Sequence, residues 1–261
     1  MSSAGFDSEA LPEAGRPPAP LSLVAPLARP GSARWHLSTT RAHQVTTEAC
    51  WWAADDGGGG DFFEVAALAG GRVGMVIGDA PGSGARAARL GSRLGNGARG
   101  LLGAGTPAGA LLEALDGIVQ DAGVDLIATA LCVVIDARAG KAELTSAGHL
   151  PGLRVALHGV GELLYPNRYP PLGITATRSA SRYDFGWDDG MYLFTDGMVE
   201  RHQISIDAGL GALTRASAGL SGAMASAPEL ARRTTQRLGR PQDDAMVVSL
   251  RLNARPALDR G

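Results

Sequence analysis

Four times in this chain an aspartate closes an apolar run beside a glycine or a second aspartate. The cases are Asp61 in GGGGDFFEV, Asp79 in VGMVIGDAPG, Asp196 in MYLFTDGMVE, and Asp243 with Asp244 in RPQDDAMVVSL. A carboxylate at a strand end is held by rigid backbone and points into a cleft. If sheet pairing gathers such ends, the like charges repel, and some take up protons unless a cation neutralises them. Ligands that are all oxygen select a hard divalent ion, Mg2+ or Mn2+. The sequence has no Cys/His cluster at zinc spacing. Asp-Gly pairs also make ordinary turns, so spacing alone leaves both readings open.

Neighbouring residues offer other chemistry. GDAPGSGARAA follows an apolar strand, as a nucleotide-binding loop does. That loop needs a lysine and then Ser or Thr, and here Ala85 and Arg86 follow the last glycine. The glycines fit better as a tight turn that lets backbone approach a metal or phosphate. His149 in SAGHLPG has two readings, a general acid or a hairpin-turn residue with structural hydrogen bonds. Arg86 and Arg89 follow the Asp79 loop. They read as solvated helix arginines or as an attraction for a phosphoprotein. Trp51 and Trp52 are adjacent, so in a strand they face opposite ways.

These residues need a scaffold. Residues 34–54 read as one or two strands, and DFFEVAAL (61–68) and RVGMVIGD (72–79) as a hairpin around Gly70-Gly71. Helices are expected over 82–103 and from Thr106 to about Asp121, with Pro107 at the first position of the second. LIATALCVVIDA, KAELTSAGH and LRVALHG predict an antiparallel meander, and SASRYDFGW and MYLFTDG two further strands. Helical patterns at 206–217 and 226–239 precede a last strand, AMVVSLRL. Segregated runs of strands and helices favour an α+β layered sandwich over a doubly wound sheet.

The composition bounds the function. The chain of 261 residues is 45% hydrophobic and 19% charged, a globular composition with a net charge of −2. That balance argues against a nucleic-acid binder and against a polybasic membrane-surface protein. The longest apolar run, Leu126 to Ile135, is about half the ~20 residues a membrane span needs. Two cysteines in apolar surroundings read as reduced core residues of a cytoplasmic protein. Residues 1–33 carry six prolines with little periodicity and read as a disordered Pro-rich tail. Residues 34–253 then form one domain, and 254–261 a flexible C-terminal tail.

In order, GGDFFEV, VIGDAPGSGARAA, TSAGHLPGL, PPLGI, LFTDGMVE and DDAMVVSL resemble the motifs of the PPM-type metal-dependent protein phosphatases, in their bacterial SpoIIE/RsbU-like branch. The resemblance covers roughly 34–252. It implies a four-layer α-β-β-α sandwich with two central, mostly antiparallel sheets. It implies two Mn2+ or Mg2+ ions, with Asp79 bridging them, the backbone carbonyl of Ala80 on one, Asp61 as a direct or water-mediated ligand, and Asp196 and Asp243 on the other side. Asp244 is the alternative to Asp243. Asp79 and Asp196 would be catalytic through the metals, and a metal-activated hydroxide would hydrolyse phosphoserine or phosphothreonine on a partner protein. The branch implies a STAS-type anti-sigma-factor antagonist as that substrate, and an activating partner acting through helices 82–103 and 105–121. A catalytically weak phosphatase-fold protein that works by binding is the alternative. It rests on two departures from the family pattern, Ser83 in the GDVSGHG segment and Met246 where threonine is frequent; Pro81 in the same segment and, more mildly, Glu64 in place of an aspartate also depart.

Overall fold

The computed structural model describes residues 21–23, 31–40, 43–52, 59–123, 125–157 and 159–253. Among the described residues, twelve strands form two six-stranded sheets in which every strand pairing is antiparallel. The first sheet contains β1 (Leu21–Leu23), β4 (Phe62–Leu68), β5 (Arg72–Asp79), β6 (Thr129–Asp136), β7 (Lys141–Ala147) and β10 (Ser181–Asp184), side by side in that order. The second contains, in spatial order, β2 (Gly31–Thr40), β3 (His43–Trp52), β12 (Ala245–Leu252), β11 (Gly190–Phe194), β8 (Gly152–Val155) and β9 (Glu162–Leu164).

The sheets stack face to face. Period-two alternation sends Phe63, Val65, Met75, Ile77, Leu131 and Val133 of the first sheet inward, where they meet Met191, Leu193, Met246, Val248 and Leu250 of the second. The outward residues Phe62, Ala66, Val76 and Cys132 lie under α1 (Gly84–Gly103) and α2 (Ala108–Ala122). Tyr192, Phe194 and Val247 lie under α3 (Ile206–Ala216) and α4 (Ala227–Leu238). Strands with both faces covered need apolar residues on both, and so β4, β5, β6 and β12 read as nearly continuous apolar runs. The result is the expected four-layer α-β-β-α sandwich.

Local chemistry sets the joints. Gly70 and Gly71 take positive φ (75° and 80°), the conformation a tight β4–β5 turn demands. α1 buries Ala87, Leu90, Leu94, Ala98 and Leu102 at three- and four-residue spacing, so packing holds it despite its glycines. α3 is capped by the Ser205 hydroxyl, which accepts from the Ala208 N–H. Pro107, expected at the first position of α2, stands at its cap, and the helix begins one residue later at Ala108.

Three expectations are corrected. The three runs read as one meander divide between the sheets: β6 and β7 pair in the first, whereas β8 pairs with β11 and β9 in the second. The switch falls at Gly148, whose φ of 70° and tight approach to Pro171 turn the chain out of the ladder. The region read as one or two strands from residue 34 holds two, Gly31–Thr40 and His43–Trp52, so the first begins three residues earlier than expected. The expected tail also supplies β1, which pairs with Phe63–Val65; the rest of 1–30 and residues 254–261 lie outside the described residues. Among the described residues, no helix is long and apolar enough to cross a membrane.

Candidate metal centre

The two sheets bring their acidic strand ends to one place. Asp61 immediately precedes β4 and Asp79 ends β5, and the β4–β5 ladder pairs Phe62 with Gly78, next to both. Asp196 follows β11 and Asp243-Asp244 precede β12, and these strands pair Phe194 with Val247. Each sheet thus supplies carboxylates from a neighbouring strand pair. Asp61, Asp79, Asp196, Asp243 and Asp244 line one cavity of about 370 Å3 together with Gly82 and Ser83, and no basic side chain is part of that lining.

Bare backbone makes the convergence possible. A Cβ on Gly60 would sit 1.9 Å from the Ala80 carbonyl oxygen, and one on Gly197 would sit 1.9 Å from the Asp244 carbonyl oxygen. Only glycine lets these segments close on one another. The Ala80 N–H donates to the Gly60 carbonyl at 3.2 Å. Ala80 itself is fully buried behind Asp79 and is not among the residues lining the cavity.

The carboxylates disturb one another. Desolvation pushes Asp61 well above the usual carboxylate range, and the charges of Asp79, Asp196 and Asp244 add to it, partly opposed by the Thr195 hydroxyl. Desolvation, with Asp196, Asp243 and Asp244, raises Asp79 to about 7. Asp196 is raised too, first by desolvation and then by Glu200 and Asp243, against the Gly197 N–H. This is the pattern of like charges held together without a counter-ion.

Does this set fit a metal? Among the described residues, no three His, Cys, Asp or Glu side chains already converge as a finished ligand cage. The donor chemistry does suit a hard, hydrated cation: five carboxylates, with no nitrogen or sulfur in the lining. Mg2+ characteristically keeps several waters and takes only one or two carboxylates directly.

One contributor was missed from sequence. The Thr195 hydroxyl donates to Asp61 Oδ2 at 2.8 Å and accepts from the Met246 N–H at 2.8 Å. It therefore orients Asp61 and ties the start of β4, in one sheet, to β12 in the other. Its signal was in plain sight, a hydroxyl residue directly before a strand-end acid in LFTDG.

Other singled-out residues resolve differently. The Met246 side chain packs in the core between the sheets, so that departure concerns packing. Ser83 lines the cavity. Glu64 is buried under α1, where its carboxylate accepts from Arg99 at 3.3 and 3.4 Å. His149 shares a hydrogen bond with Thr129 Oγ1 at 2.8 Å, and its backbone N–H and carbonyl engage the Ser146 hydroxyl. Burial lowers its imidazole to about 4, so at neutral pH the ring is neutral and the turn reading stands over a general acid. Trp51 packs against the inter-sheet core and Trp52 against the core under α3 and α4. Cys50 and Cys132 are free thiols, and burial raises Cys132 to about 12.

This architecture is that of the PP2C-type phosphatase domains. The sequence model of the Stage II sporulation protein E (SpoIIE) family matches residues 69–253, and the chain belongs to that family. Among solved structures, the RsbU and RsbW domains of Rv1364c from Mycobacterium tuberculosis share its fold, at 24% identity and TM-score 0.69, over 88% of this chain and 62% of that one. The PP2C phosphatase domain of SpoIIE from Bacillus subtilis, with a fragment of its regulatory domain, aligns at 20% identity and TM-score 0.67 over 83% of this chain and 66% of that one. The chain therefore spans about two thirds of the length of either. RsbX, solved in complex with magnesium, aligns at 14% identity and TM-score 0.63 over 85% of this chain and 100% of its own.

Proposed function

We propose that this chain is a metal-dependent protein phosphatase that removes phosphate from serine or threonine on a partner protein. The observation that carries the reading is the cavity itself: five carboxylates from two sheets, of which Asp61, Asp79 and Asp196 are raised in pKa by desolvation and then by neighbouring acids, with no basic side chain in the lining. Asp61, Asp79, Asp196 and Asp243 would hold two Mn2+ or Mg2+ ions, with the Ala80 carbonyl and with Asp244 as the alternative to Asp243. Such ions, when bound, acidify a water toward hydroxide at neutral pH and offset the charge on phosphoryl oxygens.

The chain's residues do the rest. Thr195 fixes one oxygen of Asp61 and leaves the other to face the cavity. Burial and neighbouring acids favour the protonated forms of Asp61 and Asp79, so metal loading would release protons. Gly82 and Ser83, exposed residues of the cavity lining, would form the rim that a phosphoryl group meets.

The family and the RsbU and RsbW domains of the similar protein support a partner-switching role; the substrate we propose for it is a STAS-type anti-sigma-factor antagonist, in the cytoplasm. The test is hydrolysis of para-nitrophenyl phosphate with Mn2+ titrated in against EDTA, beside Asp196→Asn. Metal-dependent turnover that the variant loses is the expected result. A biological output that survives Asp196→Asn would overturn the enzyme reading in favour of a binding module.

A further inference from the structure

Arg86, Arg89 and Arg93 are spaced by three and four residues and so share one face of α1. All three are exposed, and they line a cleft of about 270 Å3 with Pro81, Asp121 and Leu126 among its other walls. Most arginines of the fold find an acceptor: Arg154 meets Glu162, Arg178 meets Asp116 and Arg182 meets Glu143. Among the described residues, no hydrogen bond or ion pair engages Arg86, Arg89 or Arg93.

Their placement runs against local stability. Like charges at this spacing repel, and Arg86, in the first turn of α1, faces the positive end of the helix dipole. The first turn of α1 contains no acidic residue to offset them. Three guanidinium groups against the single carboxylate of Asp121 leave the cleft lining positive. Local rules broken without a local gain are expected where a surface has a function.

Position then says what the cleft is for. Pro81 lines the arginine cleft, while the next two residues, Gly82 and Ser83, line the acidic cavity. One short loop is the wall between the two. A phosphoserine entering the cavity across that rim brings the residues beside it, on its own chain, to the cleft.

We propose that Arg86, Arg89 and Arg93 form a specificity subsite for acidic side chains flanking the phosphorylated residue of the protein substrate. The proposal rests on the phosphatase reading and adds the substrate's character, a phosphoserine beside aspartate or glutamate. The arginines act by attraction at the rim, so they raise kcat/KM for a charged substrate and leave the reacting groups alone.

The test compares Mn2+-loaded wild type with the Arg86→Ala/Arg89→Ala/Arg93→Ala variant on three substrates: para-nitrophenyl phosphate, a phosphoserine peptide with acidic flanks, and the same peptide with neutral flanks. Alanine is a good helix former at exposed positions, so the variant keeps its fold, as melting will verify. The expected result is a loss of about tenfold in kcat/KM for the acid-flanked peptide alone. Wild-type preference for that peptide should also fade with added salt. Equal use of the two peptides by wild type, or equal losses on all substrates in the variant, would overturn the subsite. Absence of Mn2+-dependent para-nitrophenyl phosphate turnover in wild type would instead overturn the phosphatase reading. Peptide affinity, measured by fluorescence anisotropy, then judges the cleft without turnover, and equal affinity for the two peptides would overturn it.

Discussion

Asp116 is buried and Asp79 half-buried at a cavity wall, and the protein treats the two in opposite ways. Asp116 on α2 is 3% exposed and fully partnered. It accepts from Arg178 Nη1 at 2.7 Å and Nη2 at 3.1 Å, and from the Gly173 N–H at 3.2 Å. The same guanidinium donates to the carbonyls of Pro170 and Ile174, so one ion pair fastens the 170–178 segment to the helix. Asp79 has four carboxylates for company and no internal cation. A buried charge that the chain satisfies itself is architecture, whereas a group of charges left unsatisfied is a place kept for something from outside.

Breaking the satisfied site has the largest expected effect on stability. Arg178→Met leaves Asp116 buried without its partner and should cost about 3–5 kcal/mol in chemical denaturation. Breaking the unsatisfied site should do the reverse. Asp196→Asn removes a repulsive charge, so metal-free melting stays level or rises. Metal-dependent phosphate release should fall by more than about a hundredfold, beyond the range of losses at outer-shell positions. A variant that loses stability and keeps turnover would erase the contrast.

The contrast sharpens with pH. A carboxyl raised to about 7 in the fold binds more protons folded than unfolded between the ordinary carboxylate range and neutrality. Metal-free stability should therefore fall as pH rises through that window, with the loss complete above about 7. Mn2+ at a hundred times its dissociation constant should restore about 2.7 kcal/mol at neutral pH, and less at pH 5.5, where protons compete. Denaturation curves with and without EDTA at the two pH values measure both. The smallest effect belongs to Thr195→Val. It loses the hydrogen bond that orients Asp61 and should weaken Mn2+ binding about 10- to 100-fold, read by titration calorimetry.

Much of this was legible in the sequence because the signals were local. The Gly70-Gly71 turn, the three-four spacing of Leu90, Leu94, Ala98 and Leu102, and the unbroken AMVVSLRL run each depend only on neighbours along the chain. The acids could be named one by one, since each ends an apolar run. What adjacency along the chain does not encode is which sheet a strand joins. β7 and β8 follow one another with a short turn between, yet pair in different sheets, and the meander reading failed there. Leu21–Leu23 hid in a proline-rich stretch because three residues carry no period. Thr195 escaped for a related reason, since its partners, Asp61 and the Met246 N–H, lie 134 and 51 residues away.

The contact between α1 and the loop before β4 has a mechanical consequence. A Cβ on Gly91 would lie 2.5 Å from the Gly60 carbonyl oxygen, so helix and loop touch backbone to backbone. Side chains are the compressible part of most helix contacts, because they absorb small displacements by changing rotamer. Here no such cushion exists. Gly60 in turn adjoins Asp61 on one side and, through the hydrogen bond from the Ala80 N–H, Ala80 and Asp79 on the other, so any shift of α1 would bear directly on those acids. The absence of a single methyl group thus leaves α1 and the acidic cavity in direct backbone register.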